Sequence, residues 1–438
     1  MNKTFLLSAA ALLALSSGCG KVRDSNTSSD TPETTSSVVS SVPDTTSSAA
    51  ATTSVQTDLP PSSTAPAPHE ELVMTCLSEV EVFDKVSLSE FVTSTNGVLS
   101  QPDELIDTSS TGSHEVTVKC TVDGVPSEKK ITFSVVDKTA PLILNSGWNA
   151  NHLRGNAFDL SDYVGYADNY DSAPVLTYTG NIDPNTSGSY PLTATVTDSS
   201  GNSASFDVTV NVLDYPPQQQ PYNGEKQPFE SFMARYAGEG RSFGIDVSEW
   251  QGDIDFNAVK NAGCSFVIMR TGYCYSNRVT DKQFEANFRK ANEAGLNVGL
   301  YFYSGDSTEE AVREHARWIA GLVGDTKLAL PVAFDWEDFG TFQEFGISLH
   351  QLNELYFAFA DELEKCGLSP MLYSSKNFLN SVWTEEAKSI HPVWLAHYCD
   401  ETDYTGDYAI WQGSCTGQIP GICGDVDMNV LYRSLPLE

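Results

Sequence analysis

From residue 243 onward, continuous apolar runs alternate with stretches in which apolar residues recur every three or four positions. The runs at 243–248, 265–270, 297–303, 329–335, 370–374, 393–397, 407–412 and 426–432 have the length and continuity of buried parallel strands. Helical spacing falls between several of them. Residues 281–294 put Phe284, Phe288 and Ala291 on one face, and residues 308–322 follow Ser307 with Glu310 three positions later, a capping-box spacing. Residues 349–365 follow Ser348 and turn Leu352, Leu355, Tyr356, Phe359 and Leu363 inward. Strand–helix alternation with apolar strands predicts an α/β fold, and about eight strands predict a β/α barrel. The last three strands leave little room for helices, so the barrel is expected to be irregular.

Upstream the period changes to two, and the pattern repeats. Leu88-Ser89-Glu90-Phe91-Val92 returns as Leu160-Ser161-Asp162-Tyr163-Val164, and Thr111-Gly112-Ser113-His114 returns as Ser187-Gly188-Ser189-Tyr190. Each copy ends in two alternating strands. The first has Val116, Val118, Cys120 and Val122, then Ile131, Phe133 and Val135. The second has Tyr190, Leu192, Ala194 and Val196, then Phe206, Val208, Val210 and Val212. Turn residues separate the strands in both copies, which predicts two small all-β antiparallel sandwiches. Asp137-Lys138-Thr139-Ala140-Pro141 opening a module, with Val196-Thr197-Asp198-Ser199-Ser200-Gly201-Asn202 near its end, resembles bacterial immunoglobulin-like surface modules. That resemblance implies a stalk or a weak ligand binder. Asp168-Asn169-Tyr170-Asp171 reads as an exposed turn in preference to a calcium loop.

The N-terminus reads as an export signal, with Lys3 followed by an apolar core from Phe5 to Leu15 that is too short for a mature membrane span. Leu15-Ser16-Ser17-Gly18-Cys19 resembles a bacterial lipobox, although the leucine stands four residues before the cysteine where three is usual. Lipidation at Cys19 would tether the chain to the outer face of the cell membrane; the alternative is plain secretion. Residues 23–68 are Ser, Thr, Pro, Ala and Asp with almost no large apolar side chain, so a disordered spacer is expected. The resulting division is a signal peptide over 1–19, a disordered linker over 20–69, sandwiches over 70–137 and 138–214, a Pro/Gln-rich linker over 215–241, and the barrel over 242–438.

Charge and cysteines narrow the function classes. With 58 acidic against 25 basic residues, the net charge is −33, a surface that repels phosphate backbones and argues against nucleic acid. Setting Cys19 aside leaves eight of the nine cysteines, an even number suited to an oxidising compartment. Cys76 and Cys120 stand alone in their region and are expected to pair; Cys415 with Cys423 is the favoured pair further on. No C-x-x-C occurs, so no metal or other cofactor is expected.

The chemistry concentrates in Leu330-Pro331-Val332-Ala333-Phe334-Asp335-Trp336-Glu337-Asp338, an apolar strand that ends in acids. Asp335 and Glu337 are two apart and share a face, their Cα atoms roughly 6.5–7 Å apart. Their carboxyls could fall within the roughly 5–9.5 Å used across glycosidase mechanisms, and neighbouring acids should split their pKa values. Taken alone, the pair reads equally as two solvated acids or half of a calcium site. The other strand ends add Asp246, Arg270, Tyr273, Tyr301, Tyr303, Tyr373, Trp394, Tyr398, Trp411, Gln412 and Asp427. Acids beside aromatics, with no histidine or cysteine pairing, suit sugar chemistry.

Five motifs carry a family resemblance over about 243–433. Asp246-Val247-Ser248-Glu249-Trp250-Gln251-Gly252-Asp253-Ile254-Asp255-Phe256, Phe334-Asp335-Trp336-Glu337, Trp394-Leu395-Ala396-His397-Tyr398, Trp411-Gln412 and Asp425-Val426-Asp427-Met428-Asn429 resemble, in order, the motifs of family-25 glycoside hydrolases, the Chalaropsis-type lysozymes. Phe256 replaces a more usual tryptophan. The resemblance implies hydrolysis of the β-1,4 bond between N-acetylmuramic acid and N-acetylglucosamine in peptidoglycan. It makes Glu337 the general acid and Asp335 the nucleophile or the carboxylate that orients the substrate's acetamido group. Asp246 and Asp427 would position water or substrate; Tyr301, Tyr303, Tyr373, Trp394, Tyr398, Trp411, Gln412 and Arg270 would bind glycan. The expected partners are peptidoglycan strands and the membrane through Cys19, with the chain a monomer. A non-catalytic wall-binding lipoprotein and a glycosidase acting on chitin-like polymers are the competing readings.

Overall fold

The structure is a computed structural model that describes residues 70–145, 149–216, 225–275 and 277–432. The signal-peptide, lipobox and spacer assignments over 1–69, Cys19 included, lie outside the described residues.

Eight strands close a ring: β1 (Ser242–Val247), β2 (Phe266–Cys274), β3 (Asn297–Ser304), β4 (Val332–Asp335), β5 (Pro370–Ser375), β6 (Val393–Ala396), β7 (Ile410–Gln418) and β8 (Val426–Leu431). Neighbours from β1 to β7 run parallel in chain order, and β8 pairs antiparallel with both β1 and β7 to complete the ring. The irregularity falls where the sequence leaves no room for helices, because a strand entered from a short loop can only run back along its predecessor. Helices Phe284–Ala294, Glu309–Val323 and Leu349–Lys365 cover the outside. Ser348 caps the third in a full capping box with Gln351; the second is capped by Thr308, one residue later than the expected Ser307. Gly295 ends the first at φ 70°, a left-handed position that a side chain would strain.

Side-chain alternation on β4 sets up the site. Phe334 and Trp336 are fully buried on the outer face, Phe334 against Tyr356 and Phe359, Trp336 against Phe339, Phe342 and Phe345. The Trp336 indole Nε1 also donates to the Asp306 carbonyl over 3.3 Å. Truncating such a buried tryptophan to alanine costs roughly 3–5 kcal/mol. With both aromatics anchored outward, Asp335 and Glu337 are left to the inner side.

The repeat proves to be two matching sandwiches. In the first, the hairpin Gly112–Val122/Val125–Val136 carries Glu79–Glu81 and Val98–Leu99 on its edges, with Met74–Cys76 and Val92–Thr95 as a separate ribbon. In the second, the hairpin Gly188–Thr197/Ser203–Leu213 carries Asn149–Leu153 and Val175–Thr179, with Leu142–Ile143 and Tyr166–Ala167 as the ribbon. The recurring Leu-Ser-acid motif is a short capped helical turn in both, entered by Ser87 and by Asp159. The sheets are mixed and not purely antiparallel: each hairpin's second strand takes a parallel edge strand, Glu79–Glu81 in one and Asn149–Leu153 in the other.

Four further expectations are corrected. Residues 215–241 are not all linker: Gln227–Pro228 pairs with β7, and the helix Phe229–Tyr236 buries Phe229, Phe232 and Tyr236 in the barrel's outer core. Cys76 and Cys120 are thiols. They line one core from different sheets, Cys76 opposite Val92 on the ribbon and Cys120 opposite Leu99 on the large sheet. Cys415 and Cys423 are likewise unpaired, the first half-buried and the second exposed. Finally, Asp168 is not on an exposed turn. It is 1% exposed, because the second sandwich docks against the barrel there: the amides of Leu349 and His350 donate to the carbonyls of Asp168 and Asn169 at 2.8 and 3.2 Å. Gly165 permits the approach, since a Cβ at that position would lie 2.0 Å from the Phe339 carbonyl oxygen. Among the described residues, no helix is long and apolar enough to cross a membrane.

Candidate active site

The four acids come from three strand regions. Asp246 on β1 stands directly opposite Asp427 on β8 in the antiparallel register, and β4 delivers Asp335 and Glu337. Asp246 and Asp335 are buried and Asp427 is half-buried, whereas Glu337 lies among the exposed residues. The carboxyls perturb one another. Glu337 is pushed up to about 7, first by desolvation and then by the charges of Asp338 and Asp246. Glu337 thus keeps contact with solvent while the surrounding protein takes away part of its hydration. Asp335 is held well above the usual carboxylate range by burial, then by Glu337, Asp246 and Asp338, with Arg270 pulling the other way. Its Oδ1 is buried without a hydrogen-bond partner.

Asp246 and Asp427 share a side-chain hydrogen bond that favours the charged form of Asp246 and the neutral form of Asp427. Burial first, and then the charge of Asp246, raise Asp427 well above the usual carboxylate range. Two amides hold the Asp246 carboxylate: Gln412 Nε2 donates to its Oδ2 over 2.9 Å and Asn429 Nδ2 over 2.7 Å. Each amide is fixed in turn. The hydroxyls of Tyr373 and Tyr398 donate to Gln412 Oε1 at 2.9 and 3.0 Å, and the Trp394 indole Nε1 donates to Asn429 Oδ1 over 2.8 Å. These bonds also settle which way both amides face, since each oxygen meets only donors and each nitrogen an acceptor.

The expected glycan-binding residues sit in different surroundings. Tyr373 and Trp394 are buried in the barrel's inner layer, their rings 4.6 Å apart, so they contribute a hydroxyl and an N–H to the network and no open stacking face. Tyr301 packs edge-on to Trp394, and Tyr303 donates its hydroxyl to Asp338 over 3.0 Å. Arg270 is committed to the buried Asp281 and to Glu249, at 2.8 and 3.0 Å. Trp411 faces the opposite way from Gln412. It lies on the outer side of β7, its ring edge-on to Tyr236 and its Nε1 donating to the His397 carbonyl, so it packs the core and does not meet the acids. One-residue alternation on a strand makes that separation unavoidable.

Three residues at the site escaped the sequence reading. Asn429 completes the Asp246 cradle, and its position two after Asp427 on one strand was the available signal. Asp338 accepts from Tyr303 and helps raise Glu337. Tyr275, 61% exposed, lies 5.6 Å from Tyr303 and 5.7 Å from Tyr273, ring centre to ring centre, and is the open aromatic surface at this end of β2.

Comparison with known proteins places this geometry. Residues 245–422 match the family model for glycosyl hydrolases family 25, and residues 147–212 match that for the bacterial surface protein Ig-like domain. The autolytic lysozyme of Clostridium acetobutylicum is 32% identical over 192 residues, covering 42% of this chain and 54% of that protein. Lysozyme M1 of Streptomyces globisporus is 28% identical over 197 residues, covering 42% of this chain and 66% of that protein. The chain thus spans about half the length of the first relative and just under two thirds of the second. Among solved structures, the bacterial lysozyme from Streptomyces coelicolor is 25% identical, covering 44% of this chain and 93% of that one, with a TM-score of 0.36. Residues 245–422 are thus similar to glycosyl hydrolases family 25, and residues 147–212 to the bacterial surface protein Ig-like domain.

Proposed function

We propose that the chain is a cell-wall muramidase that hydrolyses the β-1,4 bond between N-acetylmuramic acid and N-acetylglucosamine in peptidoglycan. The observation that carries this reading is Glu337, exposed yet pushed up to about 7 by desolvation and then by the charges of Asp338 and Asp246. A carboxyl poised near pH 7 keeps a proton to give and loses it readily, the property a general acid needs. Glu337 donates its proton to the glycosidic oxygen as the C1–O bond breaks. Asp335 attacks the anomeric carbon, or orients the 2-acetamido group whose carbonyl oxygen attacks it. Water then attacks C1, displacing Asp335 or the acetamido oxygen, and gives its proton back to Glu337. Asp246, fixed by Gln412 and Asn429 and hydrogen-bonded to Asp427, adds its charge to desolvation and to the charge of Asp338 in keeping Glu337 protonated. Tyr275, Tyr273 and Tyr303 offer ring faces to successive sugars. The surface-type Ig-like domain supports action outside the cell, with the chain tethered through Cys19 or secreted.

The test is Glu337→Gln on purified cell walls. Release of new reducing ends should fall by about 10²- to 10⁴-fold, the usual worth of a positioned acid, while the far-ultraviolet circular dichroism stays that of the wild type. Wild-type turnover in that variant contradicts the assignment of the acid.

A further inference from the structure

A buried acidic cluster outside the barrel lies where both sandwiches and the barrel meet. Asp137 ends the first sandwich, and Asp168 and Asp198 belong to the second; all three are buried, and one carboxylate oxygen of each lies within 4.8 Å of the others. None of the ion pairs among the described residues involves any of them, so no basic side chain offsets this charge. Most of the oxygens are held from outside the cluster. Asp168 Oδ2 accepts from the amides of Tyr170 and Asp171 at 2.9 and 2.7 Å, and Asp198 accepts from the amide and side chain of Asn202, both at 2.9 Å. Asp137 accepts from the Thr139 amide and the Ser200 hydroxyl, both at 3.2 Å.

What remains is Asp168 Oδ1, on a side chain only 1% exposed and with no hydrogen-bond partner. An orphaned carboxylate oxygen beside two further carboxylates is costly unless something positive enters. Asn169 adds a neutral oxygen: its side-chain amide bonds to Asp137, and its own Oδ1 is buried and unpartnered. Burial, followed by the charges of Asp137 and Asp198, pushes Asp168 up to about 6, which records the same unmet demand.

We infer that Asp137, Asp168 and Asp198, with Asn169 at the edge, form a binding site for a hard divalent cation of the calcium type. The donor set is all oxygen, with no sulfur or imidazole, which suits calcium over zinc. It comes from irregular loops whose spacing adapts to calcium more readily than to the small, strictly octahedral magnesium ion. Position gives the ion a role. Asp137 is the last residue before the second sandwich begins. The Asp168–Asn169 carbonyls receive the first amides of the barrel helix Leu349–Lys365, and the Tyr170 hydroxyl lies 3.3 Å from Thr111 of the first sandwich. A cation here ties three bodies together and stiffens the approach of the stalk to the barrel.

The experiment is calcium titration of the full chain by calorimetry and by thermal unfolding, after treatment with chelator. One calcium ion should bind per chain, with a Kd of about 10⁻⁴ to 10⁻³ M, the range of extracellular modules. The unfolding midpoint should rise in calcium, and magnesium at equal concentration should produce less of that rise. Asp168→Asn and, separately, Asp198→Asn should abolish the calcium-dependent rise; having two variants guards against one that fails to fold. No binding heat and no midpoint shift in the wild type at about ten times that Kd range would overturn the proposal. So would an undiminished shift in both variants.

Discussion

Two groups of clustered acids in this chain meet the same electrostatic problem and answer it differently. At the barrel mouth, burial and one another's charges raise the pKa values of Asp246, Asp335, Glu337 and Asp427, so the repulsion is relieved by taking up protons, and Asp427 bonds to Asp246. Side-chain amides from Gln412 and Asn429 then fix the charge that is left. At the joint between the sandwiches, backbone amides and hydroxyls hold the outer oxygens of Asp137, Asp168 and Asp198, and an inner oxygen is left bare. The first arrangement stores a mobile proton, and the second is shaped for an ion. Clustered carboxylates therefore do not name a chemistry until their hydrogen-bond partners are counted.

Predictions that break or sharpen this contrast can be ordered by size. Asp335→Asn should lower wall hydrolysis by about 10²- to 10³-fold, the order found when a preorganised group at the reacting centre is removed; release of reducing ends measures it. Loss of activity with pH comes next. With Glu337 as the proposed general acid and its pKa pushed up to about 7, kcat/KM should fall about tenfold per pH unit well above that value. The same shift has a stability sign. Its folded pKa lies above the ordinary 4.5, so the folded chain binds the extra proton and stability declines as pH rises from about 4.5 through about 7. Glu337→Gln should therefore unfold at a higher temperature than the wild type at pH 8 and at the same temperature at pH 4.

Asn429→Ala should cost about tenfold in kcat/KM, because it strands the Trp394 N–H and removes one of the two amides on Asp246, a loss of about 1–3 kcal/mol of buried hydrogen bonding. Asn429→Ala with an unchanged pH profile would show that Asp246 does not tune Glu337. Smallest is Trp411→Phe, which should leave turnover within about threefold while lowering stability by about 1 kcal/mol through the lost bond to the His397 carbonyl. A large loss of activity with intact binding to cell walls would return Trp411 to the site.

Much of the barrel and the core of its site could be read from the chain because both depend on local alternation. Apolar runs mark the strands, and the period of two fixes Asp335 and Glu337 on one side of β4 and Asp427 and Asn429 on one side of β8. The same rule, carried one residue further, separates Trp411 from Gln412, a step the aromatic count obscured. Helix Phe229–Tyr236 was hidden behind a Pro/Gln-rich stretch, although Phe229, Phe232, Met233 and Tyr236 keep helical spacing. The cysteine pairing and the burial of Asp168 could not be read this way. Both depend on which sheet faces which, and on a docking of sandwich against barrel that brings Asp168 and Leu349 together across the chain. The parallel edge strand of each sandwich is long-range in the same sense.

The most direct test of the central claim is mass spectrometry of the sugars at the new reducing ends after purified peptidoglycan is digested by the full chain. The account predicts N-acetylmuramic acid at every new reducing end, and none released by Glu337→Gln. N-acetylglucosamine at those ends, or intact glycan after exhaustive incubation with the wild type, would contradict it.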